Sequence, residues 1–174
     1  MIAVLAMLPM RRRAFGGLAL GSSVRVTAGG IDIALSAEMT KTGAPWEASV
    51  PSIIEPVLRR YIEEARPHLL ARATAPHAFL WISSSGGPFA LDHITQHIGK
   101  ITRRFFGVSI TPHLFRDAAA TSLSRLSPQD AMLIRPLLGH SSFRTAERHY
   151  IHASSNEVGR DYAKVLAGLL EEST

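Results

Sequence analysis

The chain has 174 residues, 46 % of them apolar, which is enough to bury a core and fits one domain by length. It carries 19 Lys and Arg against 14 Asp and Glu, and the resulting charge of +5 suits a nucleic-acid partner without demanding one. It has no cysteine, which excludes disulfides, thiolate catalysis and zinc ribbons.

Met1 to Met10 is apolar and leads into Arg11, Arg12 and Arg13. A signal peptide carries its charge ahead of the apolar run, and a membrane span needs about 20 apolar residues. The expectation is therefore a buried helix that delivers Arg11 to a site, in a soluble, cytoplasmic protein. Residues 2 to 9 and Phe15, Leu18 and Leu20 fit a helical period, with Pro9 and the pair Gly16–Gly17 as weak points. From Ser23 the period becomes two. Val24 and Val26, then Ile31, Ile33 and Leu35, flank the turn Ala28-Gly29-Gly30. A third strand is predicted over Glu47 to Val50, after the turn from Thr40 to Pro45. Together these make a small antiparallel sheet with Lys41 near the tip of its second hairpin.

Helices then dominate. Pro56 suits the first turn of one, with Val57, Leu58, Tyr61, Ile62 and Ala65 as its apolar stripe and Pro67 as its predicted end. Phe79 to Ile82 reads as a short buried run before the loop Ser83 to Pro88. Ile94, Ile98, Ile101 and Phe105 recur at helical spacing, with Gly107 as the cap. Thr111-Pro112 starts the next helix, and Ser127-Pro128-Gln129-Asp130 starts another that ends at Gly139. A further helix carries Tyr150. The last runs from about Asn156 with Val158, Tyr162, Val165, Leu166 and Leu169 on one face. The order of elements predicts an α+β class, mainly helical, as a single domain with a small three-stranded antiparallel sheet.

His113 and Arg116 lie three apart at the start of a predicted helix and so share a face. A forked guanidinium beside an imidazole at a helix N-terminus makes an anion site. For an isolated pair, a helix-terminal histidine and a surface arginine would be the plainer reading. Further matching residues follow in order. His140 comes directly after the helix stop Gly139, and Tyr150 sits among Arg144, Arg148, His149 and His152, a cationic setting for a phenol.

In this order the residues resemble the catalytic domain of the tyrosine recombinases, the phage-integrase family, over nearly the whole chain. The family pattern is an early arginine, a lysine on a β-hairpin, His-x-x-Arg, Leu-Gly-His and a tyrosine nucleophile. Arg11 fits the first arginine, with Phe15 and Leu18 at plus four and plus seven; Arg12 and Arg13 fit less well. Lys41 resembles the hairpin lysine, His113 and Arg116 match His-x-x-Arg, His140 matches Leu-Gly-His, and Tyr150 matches the nucleophile. The tyrosine stands ten residues after His140 where the family has nine, and His149 occupies plus nine.

The resemblance implies that Tyr150 attacks a DNA phosphorus, forming a 3′-phosphotyrosyl link and releasing a 5′-hydroxyl that later reseals. Arg11 and Arg116 would clamp the non-bridging oxygens. Lys41 would protonate the leaving oxygen, His113 would assist proton transfer, and His140 would hydrogen-bond the phosphate. The implied partner is double-stranded DNA, with no metal and no cofactor. It further implies a homo-oligomer on DNA through the C-terminal helix, whose apolar face otherwise packs on its own core. Family members carry a helical DNA-clamping domain and an opening catalytic-domain helix ahead of the first arginine. Only ten residues precede Arg11, so residues 1–174 are expected to be the catalytic domain lacking both.

Two other readings have distinct signatures. In a metal hydrolase, His149 and His152 would be ligands on one helical face, although no acidic partner is nearby. A truncated, non-catalytic recombinase relative would keep the motif residues yet act only as a DNA- or partner-binding module.

Overall fold

Pro9, which has no N–H to give, separates the first two helices, α1 (Ile2–Met7) and α2 (Arg12–Gly16). In the structure, a computed structural model, the backbone of residues 1–126 and the side chains of residues 1–122 are described. The helices expected over 127–139, around Tyr150 and from Asn156 lie outside the described residues. The chain divides into two units, Met1–Arg116 and Asp117–Thr174.

The first unit is organised around one apolar core. Val4 and Leu5 of α1, Ala14 and Phe15 of α2, and Leu18 beyond it are all buried. They meet the sheet, whose strands β1 (Val24–Thr27), β2 (Gly30–Leu35) and β3 (Trp46–Ser49) pair antiparallel in the order β1-β2-β3. The register sets Val24 opposite Ile33 and Leu35 opposite Trp46. Ile31, Ile33 and Leu35 face the core while Asp32 and Ala34 face out, the alternation a half-buried strand requires. β3 begins one residue earlier than the sequence suggests. Val50 still donates its N–H to the Ile31 carbonyl at 2.7 Å, so the expected boundary differs only in how far the ladder runs.

Pro67 does not end the next helix. The chain stays helical from Glu55 to Leu70, as α3 (Glu55–Arg60), a π-helical turn (Tyr61–Ala65) and α4 (Arg66–Leu70). A proline ring inside an α-helix collides with the carbonyl four residues back and removes a hydrogen bond. Widening the preceding turn, so that the Arg66 N–H reaches back five residues to the Tyr61 carbonyl, accommodates the ring.

That helix holds the buried run Leu80, Trp81 and Ile82 from one side. The Tyr61 hydroxyl donates to the Leu80 carbonyl at 2.9 Å and accepts from the Ile82 N–H at 3.2 Å. Buried Arg66 donates to the carbonyls of Phe79, at 3.0 Å, and His77, at 3.2 Å. From the other side the Leu80 N–H bonds the Leu18 carbonyl at 2.7 Å, and the Leu20 N–H bonds that of Ala78 at 2.8 Å.

Helix α5 (Leu91–Phe106) lays Ile94 and Ile98 into the core. The expected stripe ends early: Ile101 is half-buried and Phe105 is 72 % exposed. Gly107 closes the helix in the left-handed conformation (φ 75°), its N–H bonded to the Arg103 carbonyl. Helix α6 (Pro112–Leu126) starts at the predicted proline.

Candidate active site

Arg11 is the N-cap residue of α2, in extended conformation just after Pro9. Its side chain is half-buried, and its Nη1 is buried with no hydrogen-bond partner among the described residues. An unsatisfied guanidinium N–H inside a protein is costly, and native structures keep one chiefly where an outside acceptor completes it. The neighbouring arginines are placed differently. Arg12 is exposed and its Nη1 bonds Asp92 Oδ1 at 3.0 Å and Thr95 Oγ1 at 3.2 Å, tying α2 to α5; Arg13 is exposed. The Arg12–Asp92 pair lies in solvent and is worth roughly 0–1 kcal/mol, so it fixes orientation more than stability.

Arg116, one turn into α6, is buried (5 % exposed), and its Nη1 donates to the Pro9 carbonyl. The bond spans 107 residues of sequence and brings the Arg116 guanidinium to the backbone two residues ahead of Arg11. His113, one turn earlier on the same helix, is exposed. The structure thus gathers Arg11, Arg116 and the start of α6 around the segment from Pro9 to Arg11.

Lys41 is apart from this group. It sits exposed in the turn between the 3₁₀ segment Ala37–Met39 and β3. The turn is closed locally: Thr40 Oγ1 donates to the carbonyls of Ala37, at 3.0 Å, and Ala44, at 2.8 Å, and Gly43 takes φ 68°. No described contact joins Lys41 to either arginine. His140 and Tyr150 lie outside the described residues, as do His149 and His152. Among the described residues no group of three or more His, Asp or Glu side chains could hold a metal ion.

Residues 1–157 match the profile of the phage integrase family. The chain belongs to the phage integrase family. Within it, the tyrosine recombinase XerC of Bacillus subtilis (strain 168) is 25 % identical over 150 residues, covering 84 % of this chain and 48 % of that protein. The XerC of Bacillus licheniformis is 28 % identical over 112 residues, covering 64 % of this chain and 36 % of that protein. The chain therefore spans between about a third and a half of the curated relatives it matches. Among solved structures, XerH site-specific recombinase bound to palindromic difH substrate, in a post-cleavage complex, superposes with a TM-score of 0.68 at 18 % identity. That match covers 93 % of this chain and 44 % of that one. XerA recombinase superposes with a TM-score of 0.66 at 21 % identity, covering 86 % of this chain and 50 % of that one. These two likenesses establish the recombinase catalytic-domain fold.

Two features of this integrase-family site escape the sequence. The Pro9 carbonyl that receives Arg116 is a backbone group and has no sequence signal. The tie from Arg12 to Asp92 crosses 80 residues, and no local spacing marks it. Tyr61 is one of the three tyrosines of the chain, with Tyr150 and Tyr162. Burial pushes the Tyr61 phenol above its ordinary value, against the opposing effects of the Ile82 N–H and the Arg66 charge. With its hydroxyl also committed to the backbone of Leu80 and Ile82, Tyr61 is a poor nucleophile.

Proposed function

We propose that the chain is the catalytic portion of a site-specific tyrosine recombinase, acting in DNA recombination or integration by strand breakage and rejoining. The observation that carries this reading is that Arg116 reaches the Pro9 carbonyl, two residues ahead of Arg11, whose buried Nη1 has no hydrogen-bond partner among the described residues. Guanidiniums from two separate parts of the chain are thus brought to one short segment, and the forked donors of arginine suit the oxygens of a phosphodiester.

In the reaction the Tyr150 oxygen forms a bond to phosphorus as the bond from phosphorus to the 5′-oxygen breaks. A free phenol has a pKa of about 10, so only about a thousandth is ionised at neutral pH, and a neighbouring cation or base must take its proton. Arg11 and Arg116 hold the charge that builds on the non-bridging oxygens, His113 assists proton transfer, and His140 hydrogen-bonds the phosphate. Lys41 gives a proton to the departing 5′-oxygen. Rejoining reverses these steps with a second 5′-hydroxyl. The partner is double-stranded DNA and the location cytoplasmic; no described helix is long and apolar enough to cross a membrane. Assembly of copies on DNA is assigned in this reading to the C-terminal segment, so removing residues 155–174 is expected to abolish any concentration-dependent rise in mass.

A nicked suicide duplex tests the reading. The chain should become covalently linked to the 3′-phosphate, and Tyr150→Phe should abolish the link. An adduct that survives Tyr150→Phe removes Tyr150 as nucleophile and brings His149, at the family's usual spacing, into question. A second reading is a DNA- or partner-binding module without catalysis. Salt-sensitive DNA binding with no adduct would decide for it.

A further inference from the structure

The placement of Arg116 depends on a joint between α5 and the start of α6. After the left-handed Gly107 the chain turns back along α5. It passes so close that a Cβ on Gly99 would stand 2.5 Å from Ser109 Oγ. One turn on, Thr102 is fully buried (0 % exposed) in an otherwise apolar helix face beside Ile98. Its hydroxyl donates back along α5 to the carbonyls of Ile98, at 3.0 Å, and Gly99, at 3.2 Å. With its proton so directed, Oγ1 is left to accept the Ile110 N–H, at 2.9 Å. Ile110 is two residues ahead of the first residue of α6, and six ahead of Arg116. Phe115 then packs against the core, and Arg116 reaches the Pro9 carbonyl.

The same helix also holds α2, which the other arginine heads. At its opposite end α5 holds α2 through Arg12 on Asp92 and Thr95. There Gly16 approaches so closely that a Cβ would lie 2.7 Å from Leu91 and 2.9 Å from Ile94. One rigid helix therefore sets where α2, headed by Arg11, and the first turn of α6, with His113 and Arg116, stand relative to each other. A buried side-chain hydroxyl is the only polar group of the α5 interior assigned to the second of these attachments among the described residues.

We infer that Thr102 is a positioning residue of the active site: its hydroxyl fixes the start of α6 and so aims Arg116 at the phosphate beside Arg11. The inference rests on the recombinase reading for its catalytic consequence, but its structural content can be measured without DNA. In the full chain the Ile110 amide should exchange with solvent as slowly as core amides of α5. Exchange at the rate of an open turn would overturn the inference even if no variant folds.

Thr102→Val keeps the side-chain shape and removes the acceptor. Ile110 exchange should then quicken, and the ¹⁵N resonance of the Arg116 guanidinium should shift toward that of a solvent-averaged arginine; Thr102→Ser should restore both. Unchanged Ile110 and Arg116 signals in Thr102→Val would refute the inference. On the nicked duplex, Thr102→Val should slow adduct formation at saturating DNA by about a hundredfold, the scale of a 1 Å misplacement. Half-saturating DNA should stay within about twofold, and Thr102→Ser should recover the rate. A wild-type rate in Thr102→Val overturns the positioning role. Absence of any adduct from the wild type, with the exchange and resonance results as expected, instead removes the recombinase activity and leaves the joint standing.

Discussion

The arginine junction and the Lys41 turn are held by different physics. Arg116 is buried and reaches across 107 residues to a fixed carbonyl, and Arg11 heads a helix whose side is clamped to α5. Lys41 stands on a turn closed, among the described residues, by Thr40 bonding to the carbonyls of Ala37 and Ala44. The arginine junction is thus set by tertiary packing, while Lys41 sits on a turn between Met39 and Trp46, which pack against the core from either side of it. Electrostatic stabilisation profits most from such advance organisation, because charges already in place need no rearrangement as the reaction proceeds.

The sharpest way to break this contrast is to change the arginines. Arg11→Lys and Arg116→Lys should each slow adduct formation by about 10²–10³, since a point charge replaces a two-pronged donor. Either variant reacting at the wild-type rate would sink the clamp. Stability should then separate the two residues. Arg116→Ala removes a buried charged hydrogen bond and should lower unfolding free energy by about 1.5–3 kcal/mol. Arg11→Ala removes an unpaired N–H and should stay within about 1 kcal/mol of wild type in urea denaturation.

Tyr61→Phe is the next test, because it disturbs the core without touching the arginines. Loss of its bonds to Leu80 and Ile82 should cost about 1–2 kcal/mol while the adduct on nicked DNA still forms. The native phenol holds its proton more tightly than the unfolded one, so its contribution is fully present below the ordinary value of about 10. It is lost as pH rises through the raised native value. Wild-type stability should therefore fall on the alkaline side, and the phenylalanine variant should show a flatter decline there. Smallest in stability is Lys41→Ala, expected within about 0.5 kcal/mol of wild type. Its rate should nonetheless fall by about 10²–10⁴, the range for a lost general acid. A 5′-leaving group that needs no proton should restore that rate.

What could be seen beforehand follows the range of the interactions. The sheet was legible because alternation at Ile31, Ile33 and Leu35 is a local pattern, and α5 and its glycine cap were legible for the same reason. The proline signal at Thr111-Pro112 located α6. Pro67 misled, because a proline inside a helix has two outcomes, termination or a widened turn. The choice depends on Tyr61 and Arg66 being held by a distant segment. Phe105 misled as well: spacing assigns a face, but whether anything covers the last turn is a tertiary matter. Residue type and spacing made Arg11, Lys41, His113 and Arg116 nameable as candidates. The Pro9 carbonyl and the Thr102 hydroxyl were not, since one belongs to the backbone and the other looks like a minor polar break in an apolar stripe.

The widened turn between Tyr61 and Ala65 fixes the length of its helix. A regular α-helix advances about 100° per residue, so if these same residues wound without the wider turn, positions five apart would stand about 140° from each other around the axis. Tyr61 and Arg66, which now grip the same buried segment at successive carbonyls, would then point to different sides. The apparent irregularity is in effect a spacer, and it keeps two distant grips in phase.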